Sequence, residues 1–141
     1  MSRPAAGFPR LLALGDAAFT VEFGGGIAPE IHARVLGFAA ALAACAMPGV
    51  IELVPAFRSV TVHVDPDLID PQRLAADLLA LAHAGHEATA SGRRWVIPVC
   101  FDDDLAPDLP DVAAHCGLDR EAVVERLTTT EFSVYMLGFL P

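Results

Sequence analysis

Phe19, Val21 and Phe23 alternate with Thr20 and Glu22, the period of a strand buried on one face. The run 11–15 precedes it, and Gly15-Asp16 has the chemistry of a turn, so 11–15 and 18–23 read as a hairpin. Three glycines, 24–26, then lead to Pro29, which suits a first helical position because its missing N–H needs no partner there. Ile31, Val35, Phe38, Leu42 and Cys45 follow at steps of four and three, one face of a helix over 29–46, with Pro48-Gly49 ending it. Runs 50–54 and 58–64 form a second hairpin across Pro55-Ala56-Phe57, with Val60, Val62 and Val64 facing one way and Ser59, Thr61 and His63 the other.

Asp70 is placed to cap a helix over 71–84, with Pro71 at its first position, Leu74, Leu78 and Leu81 as its apolar stripe and Gly85 at its close. A loose linker over 85–92 leads to 94–101, which is nearly all apolar and predicts a strand. Pro98 places it at an edge or a bulge, because proline donates nothing to a ladder. From 18 to 101 the order is strand, helix, strand, strand, helix, strand. This predicts an α+β fold: a ferredoxin-like split βαβ antiparallel sheet with an extra N-terminal strand and two helices on one face. After 101 the pattern becomes helical. Asp108 and Asp119 are placed to cap short helices ending near Gly117 and Leu127, and an apolar strand starts at Phe132. The expected division is a domain over 1–101 and a helical linker with a terminal strand over 102–141. The terminal strand is expected to pack on the domain's own sheet or cross to a neighbouring molecule.

Charge narrows the function. Nine basic residues, all arginine and scattered, stand against 18 acidic ones for a net charge of −9, without the basic patch that nucleic-acid binding needs. The absence of lysine removes the phosphate-binding residue of a Walker loop and the amine of a Schiff base. Cys45, Cys100 and Cys116 are an odd set without a paired framework, which fits a reducing, cytoplasmic setting. The first ten residues hold no apolar core of signal-peptide length. The most apolar helix carries Glu30, His32 and Arg34, so no membrane span is expected.

Candidate chemistry is sparse. Asp102-Asp103-Asp104 could offer oxygen ligands to a hard cation, but a solvated acidic turn accounts for it and no metal site is expected. His83 and His86 are separated by the helix-breaking Gly85. Cys100 sits in an apolar run, where cysteine behaves as a small hydrophobe. Gly24-Gly25-Gly26 lacks a phosphate-loop pattern and reads as a flexible hinge. Arg58 and Ser59, after a proline-containing hairpin turn, are the candidate contacts to an anionic substrate or a partner's carboxylate. No catalytic residue is assigned.

Several segments, in order, resemble one family: Leu14-Gly15-Asp16, Val54-Pro55-Ala56-Phe57-Arg58-Ser59-Val60, Ile97-Pro98-Val99-Cys100-Phe101, Pro107-Asp108-Leu109 and Val134-Tyr135-Met136-Leu137-Gly138-Phe139-Leu140-Pro141. The family is the B subunit of bacterial 5-oxoprolinase, also called allophanate hydrolase subunit 1 or KipI, with a carboxyltransferase domain of subdomains C and D. The chain is similar to its N-terminal part. Ala106 stands where the family has glycine, Phe132 where it has tyrosine, and Leu127 where it often has histidine. The resemblance implies that a cyclophilin-like barrel follows the matched region. It also implies a non-autonomous subunit of an ATP-dependent hydrolase opening 5-oxo-L-proline to L-glutamate, with ATP held together with a second subunit rather than by this chain alone. Two alternatives share the resemblance: a KipI-like module that binds a sensor histidine kinase, and the carboxyltransferase-like subunit of an allophanate or urea carboxylase system.

Overall fold

The computed structural model describes residues 7–88 and 92–137. They form two compact units, one of residues 7–88 with 135–137 and the other of 92–134.

The first unit is an α+β layer. Its strands are β1 (Arg10–Ala13), β2 (Ala18–Glu22), β3 (Val50–Pro55) and β4 (Ser59–Val64), antiparallel throughout in the order β1-β2-β4-β3. Gly15, at φ +66°, makes the turn between β1 and β2, and the Leu14 N–H donates to the Ala18 carbonyl across it at 2.9 Å. Helix α1 (Pro29–Cys45) connects β2 to β3, and α2 (Pro71–His83) follows β4. Phe19, Val21 and Phe23 meet Val60, Val62 and Val64 beneath Val35, Phe38 and Leu42 of α1 and Leu74, Leu78 and Ala82 of α2. The alternation read from the sequence is thus the alternation of burial: every second residue of β4 is in the core. The Asp70 carboxylate accepts from the Gln72 and Arg73 N–H groups, the expected cap of α2.

The expected strand over 94–101 does not form; these residues pair with no strand and all but Phe101 are exposed. The edge beside β2, which the last strand of a split βαβ would take, is filled by β1 through the short local connection 14–17. The element order of this unit is therefore ββαββα. Local closure explains the outcome, since joining ends a few residues apart costs less chain entropy than joining ends some seventy apart, by roughly 2 kcal/mol. Pro98 further weakens any claim of 94–101 to a ladder position.

Smaller differences follow from the same physics. Helix α1 ends with Ala46 in the left-handed region at φ 45°, ahead of Pro48-Gly49, and Cys45 is exposed rather than part of the apolar stripe. Residues 86–87 pack close against Gly37 in the middle of α1: a Cβ there would lie 2.4 Å from the His86 carbonyl oxygen. The Ala88 N–H donates to the Ala33 carbonyl beside it at 3.0 Å. The segment expected to be a loose linker is thus partly fastened to α1. Residues 89–91 lie outside the described residues.

The second unit contains α3 (Leu109–Cys116) and α4 (Arg120–Thr129). Leu109, Ala113 and Val123 form its small core, with Phe101, Ala106, Leu118 and Val124 packed around them. Asp119 caps α4 through the Ala122 N–H at 2.7 Å. Asp108 makes no side-chain cap bond, because its backbone is already helical at φ −85°, ψ −7° rather than extended. Residues 132–137 form no strand. The rest of the expected terminal strand, 138–141, lies outside the described residues. Among the described residues, no helix is long and apolar enough to cross a membrane.

Candidate functional site

Arg58 and Gly24-Gly25-Gly26, far apart in sequence, meet at one end of the sheet. The strand pairing forces this: β2 runs out at Glu22 where β4 begins at Ser59, so the glycine loop leaves the sheet beside the β3–β4 turn. The Phe23 N–H extends the ladder by donating to the Arg58 carbonyl at 2.8 Å, and the Ala56 N–H closes the turn onto the Ser59 carbonyl at 2.8 Å. Between loop and turn lies an open groove of about 300 Å³, lined by residues 25–27 of the loop and 56–59 of the turn.

The glycine loop is held in place. Arg58 Nη1 donates to the Gly25 carbonyl at 3.0 Å. The loop lies against the Ile31 side chain of α1: a Cβ on Gly24 would sit 2.3 Å from Ile31 Cδ1, so a larger residue there would have to displace that side chain. The hinge expected from the sequence is a strapped turn.

Arg58 is also paired with Glu22, whose Oε1 lies 3.6 Å from its Nη2. Glu22 Oε2 accepts from Arg10 Nε at 2.5 Å. Glu22 is only 8% exposed, so each of its oxygens faces a guanidinium in a largely water-excluded position. This Arg10–Glu22–Arg58 group was not read from the sequence. Part of its signal was available: a hairpin centred on Asp16 puts residue 10 opposite residue 22, as the register does, whereas Arg58 joins them only through the pairing of β2 with β4.

A second cluster touches the groove wall. The Tyr135 ring lies 4.6 Å from the ring of His32 on α1 and 5.5 Å from Phe57. His32 Nδ1 is buried without a hydrogen-bond partner among the described residues.

The other sequence candidates are not drawn together. Asp102 uses its carbonyl to accept from the Leu105 and Ala106 N–H groups, and Asp103 pairs with Arg120 at 3.0 Å. His83 Nδ1 lies 2.7 Å from the Leu79 carbonyl of its own helix. Among the described residues, no group of three or more His, Cys, Asp or Glu could hold a metal ion. Cys100 is exposed, not the buried small hydrophobe that its apolar run implied, and Cys45 and Cys116 are also exposed free thiols.

The groove is shaped for a small, partly apolar group, with the Arg58 guanidinium and the Ser59 hydroxyl as its polar side chains. Arg58 is already committed to Glu22 and Gly25, the neighbouring carboxylate adds negative charge, and the chain has no lysine to add.

The fold, an antiparallel sheet under two helices, has counterparts. Residues 9–141 match the family model "carboxyltransferase domain, subdomain C and D", and the chain belongs to that family. It is 35% identical over 139 residues to the 5-oxoprolinase B subunit of Bacillus subtilis, an alignment covering 91% of this chain and 58% of that one. The chain thus spans little more than half the length of that relative. Among solved structures it is similar to TTHA0988, at a TM-score of 0.69 and 35% identity over 88% of this chain and 24% of that one. It also shares its fold with Kluyveromyces lactis urea carboxylase, at a TM-score of 0.70 and 21% identity over 91% of this chain and 13% of that one.

Proposed function

We propose that this chain provides the N-terminal module of a cytoplasmic B subunit in an ATP-dependent 5-oxoprolinase, the complex that opens 5-oxo-L-proline to L-glutamate. The observation that carries this reading is the 35% identity to the Bacillus subtilis protein, sustained over 139 residues. The relative's designation as a subunit supports partner subunits for this chain as well. A lactam amide is a stable bond, and ATP supplies a way to convert its carbonyl oxygen into a leaving group. On this reading the ATP site lies with the partners, which the engagement of Arg58 by Glu22 and Gly25 and the absence of lysine support. This module's part is to present the Arg58–Ser59 turn, set by Glu22 and the glycine loop, to a small anionic substrate or to a partner's carboxylate.

The test is a chimera in which this chain replaces the matched region of the Bacillus subtilis protein, assembled with that enzyme's other subunits. Glutamate formation that depends on both 5-oxoproline and ATP is expected, and none from this chain alone. An assembled complex that hydrolyses ATP without forming glutamate would overturn the reading.

A further inference from the structure

The groove at the end of the sheet combines an apolar wall with one cation. Ile27 is 63% exposed and Phe57 38%, beside the uncharged backbone of Gly25 and Gly26. The cation is Arg58, whose side chain stays 41% exposed. Arg10 and Arg58 share the single Glu22 carboxylate, which leaves one positive charge in surplus there, in a chain whose net charge is −9. Arg10 holds Glu22 at 2.5 Å, whereas Arg58 Nη2 lies 3.6 Å from it, beyond hydrogen-bond distance. Arg58 Nη1 donates to the Gly25 carbonyl. Among the described residues, Arg58 Nε and Nη2 donate no hydrogen bond. Those two neighbouring N–H groups form the guanidinium edge that matches both oxygens of one carboxylate.

This charge balance selects among anions. A second negative charge on a ligand would face Glu22 with no further cation to meet it. An ammonium would be repelled by the guanidinium groups and would give up its water against Ile27 and Phe57. The ligand these walls suit has one carboxylate, no ammonium and a small uncharged body, and about 300 Å³ is the small end of ligand cavities. On the function proposed above, on which this step rests, 5-oxoproline is of that class, because its ring nitrogen is an uncharged amide. Adding water across the ring C–N bond yields a second carboxylate and an ammonium, both of which the groove disfavours. We propose that the groove binds small cyclic monocarboxylates, with Arg58 Nε and Nη2 donating to the carboxylate and Ile27 and Phe57 against the ring. It thereby tells the closed ring from the opened amino acid.

Nuclear magnetic resonance titration of this chain alone, following the Gly25, Gly26 and Ser59 amides, tests the proposal without ATP or partner subunits. The probes are 5-oxoproline, cyclopentanecarboxylate, proline, glutamate and acetate. The first two should give saturable shifts at those amides. Proline, which has the same ring size but an ammonium, and glutamate should bind at least about tenfold more weakly, as should the parent's ligands to Arg58→Lys, which keeps the charge and loses the fork. Equal binding of proline and cyclopentanecarboxylate would overturn the proposal, and so would an Arg58→Lys variant that binds as the parent does. Acetate binding as tightly as the ring acids would also overturn it, since the apolar wall would then add nothing and a partner's side-chain carboxylate would be the better occupant. The two readings fail separately. A productive chimera with no saturable shift in this chain would keep the proposed function and remove the site, whereas the expected ranking with an unproductive chimera would keep the site and remove the function.

Discussion

Gly37→Ala makes a test whose sign is informative. Judged as a helix residue, alanine in place of a mid-helix glycine gains about 1 kcal/mol of stability. The packing opposes that gain. The new Cβ would lie 2.4 Å from the His86 carbonyl oxygen and 2.8 Å from Glu87 Cα, both backbone atoms that no side-chain rotation can move aside. Segment 86–88 must then shift away from α1, at an overpacking cost of about 1–3 kcal/mol. The shift also strains the bond from the Ala88 N–H to the Ala33 carbonyl, worth about 1 kcal/mol. The balance is a loss of about 2 kcal/mol. In urea titration followed by circular dichroism, with a slope near 2 kcal/mol per molar, the midpoint falls by about 1 M. Exchange at the Ala88 amide should accelerate as well. A variant as stable as the parent, or more stable, would refute the close approach, because propensity would then be acting unopposed.

Other consequences follow from the ion-paired end of the sheet and from the caps. Glu22→Ala should cost about 1 kcal/mol, since it removes the nearly buried carboxylate that two arginines share, while both arginines stay open enough to solvent to be rehydrated; a midpoint shift below the error of the titration would show that the group contributes nothing. Arg58→Ala should release the glycine loop, with faster amide exchange at Gly25 and Gly26 while α2 is unaffected, and equal acceleration across the unit would contradict the strap. Asp70→Ala should lose about 1 kcal/mol, but Asp108→Ala almost nothing, because only the first aspartate caps its helix through its side chain. Paired thermal melts of the two variants decide between them.

Legibility in the sequence followed the range of the interaction. Val60, Val62 and Val64, and the Asp70-Pro71 helix start, are governed by neighbours two to four residues away, and the structure places them as periodicity predicts. The run 94–101 shows the limit. Its apolar character records a tendency to be covered, but the choice of partner depends on which strand reaches the edge beside β2, and 10–13 reaches it by a short turn. Asp108 has the right residue type and a proline shortly after it, yet its backbone dihedrals, invisible in the sequence, deny it the cap. At the candidate site, Arg58 and Ser59 could be singled out from the sequence. Their neighbourhood could not, because Glu22 and Gly25 join them only through the pairing of β2 with β4 across the whole of α1.

The early position of all four strands has a consequence for the order in which the protein comes into being. The sheet is complete once Val64 has been made, well before the apolar run at Trp95 exists. At typical synthesis rates the intervening stretch takes about 2–6 s, whereas hairpins close in about 1–10 μs. The place beside β2 is therefore taken by the first-made strand long before its later competitor appears. Moving residues 10–13 to a position after residue 101 by circular permutation would reverse that timing, and with it the protection against a misassembled sheet.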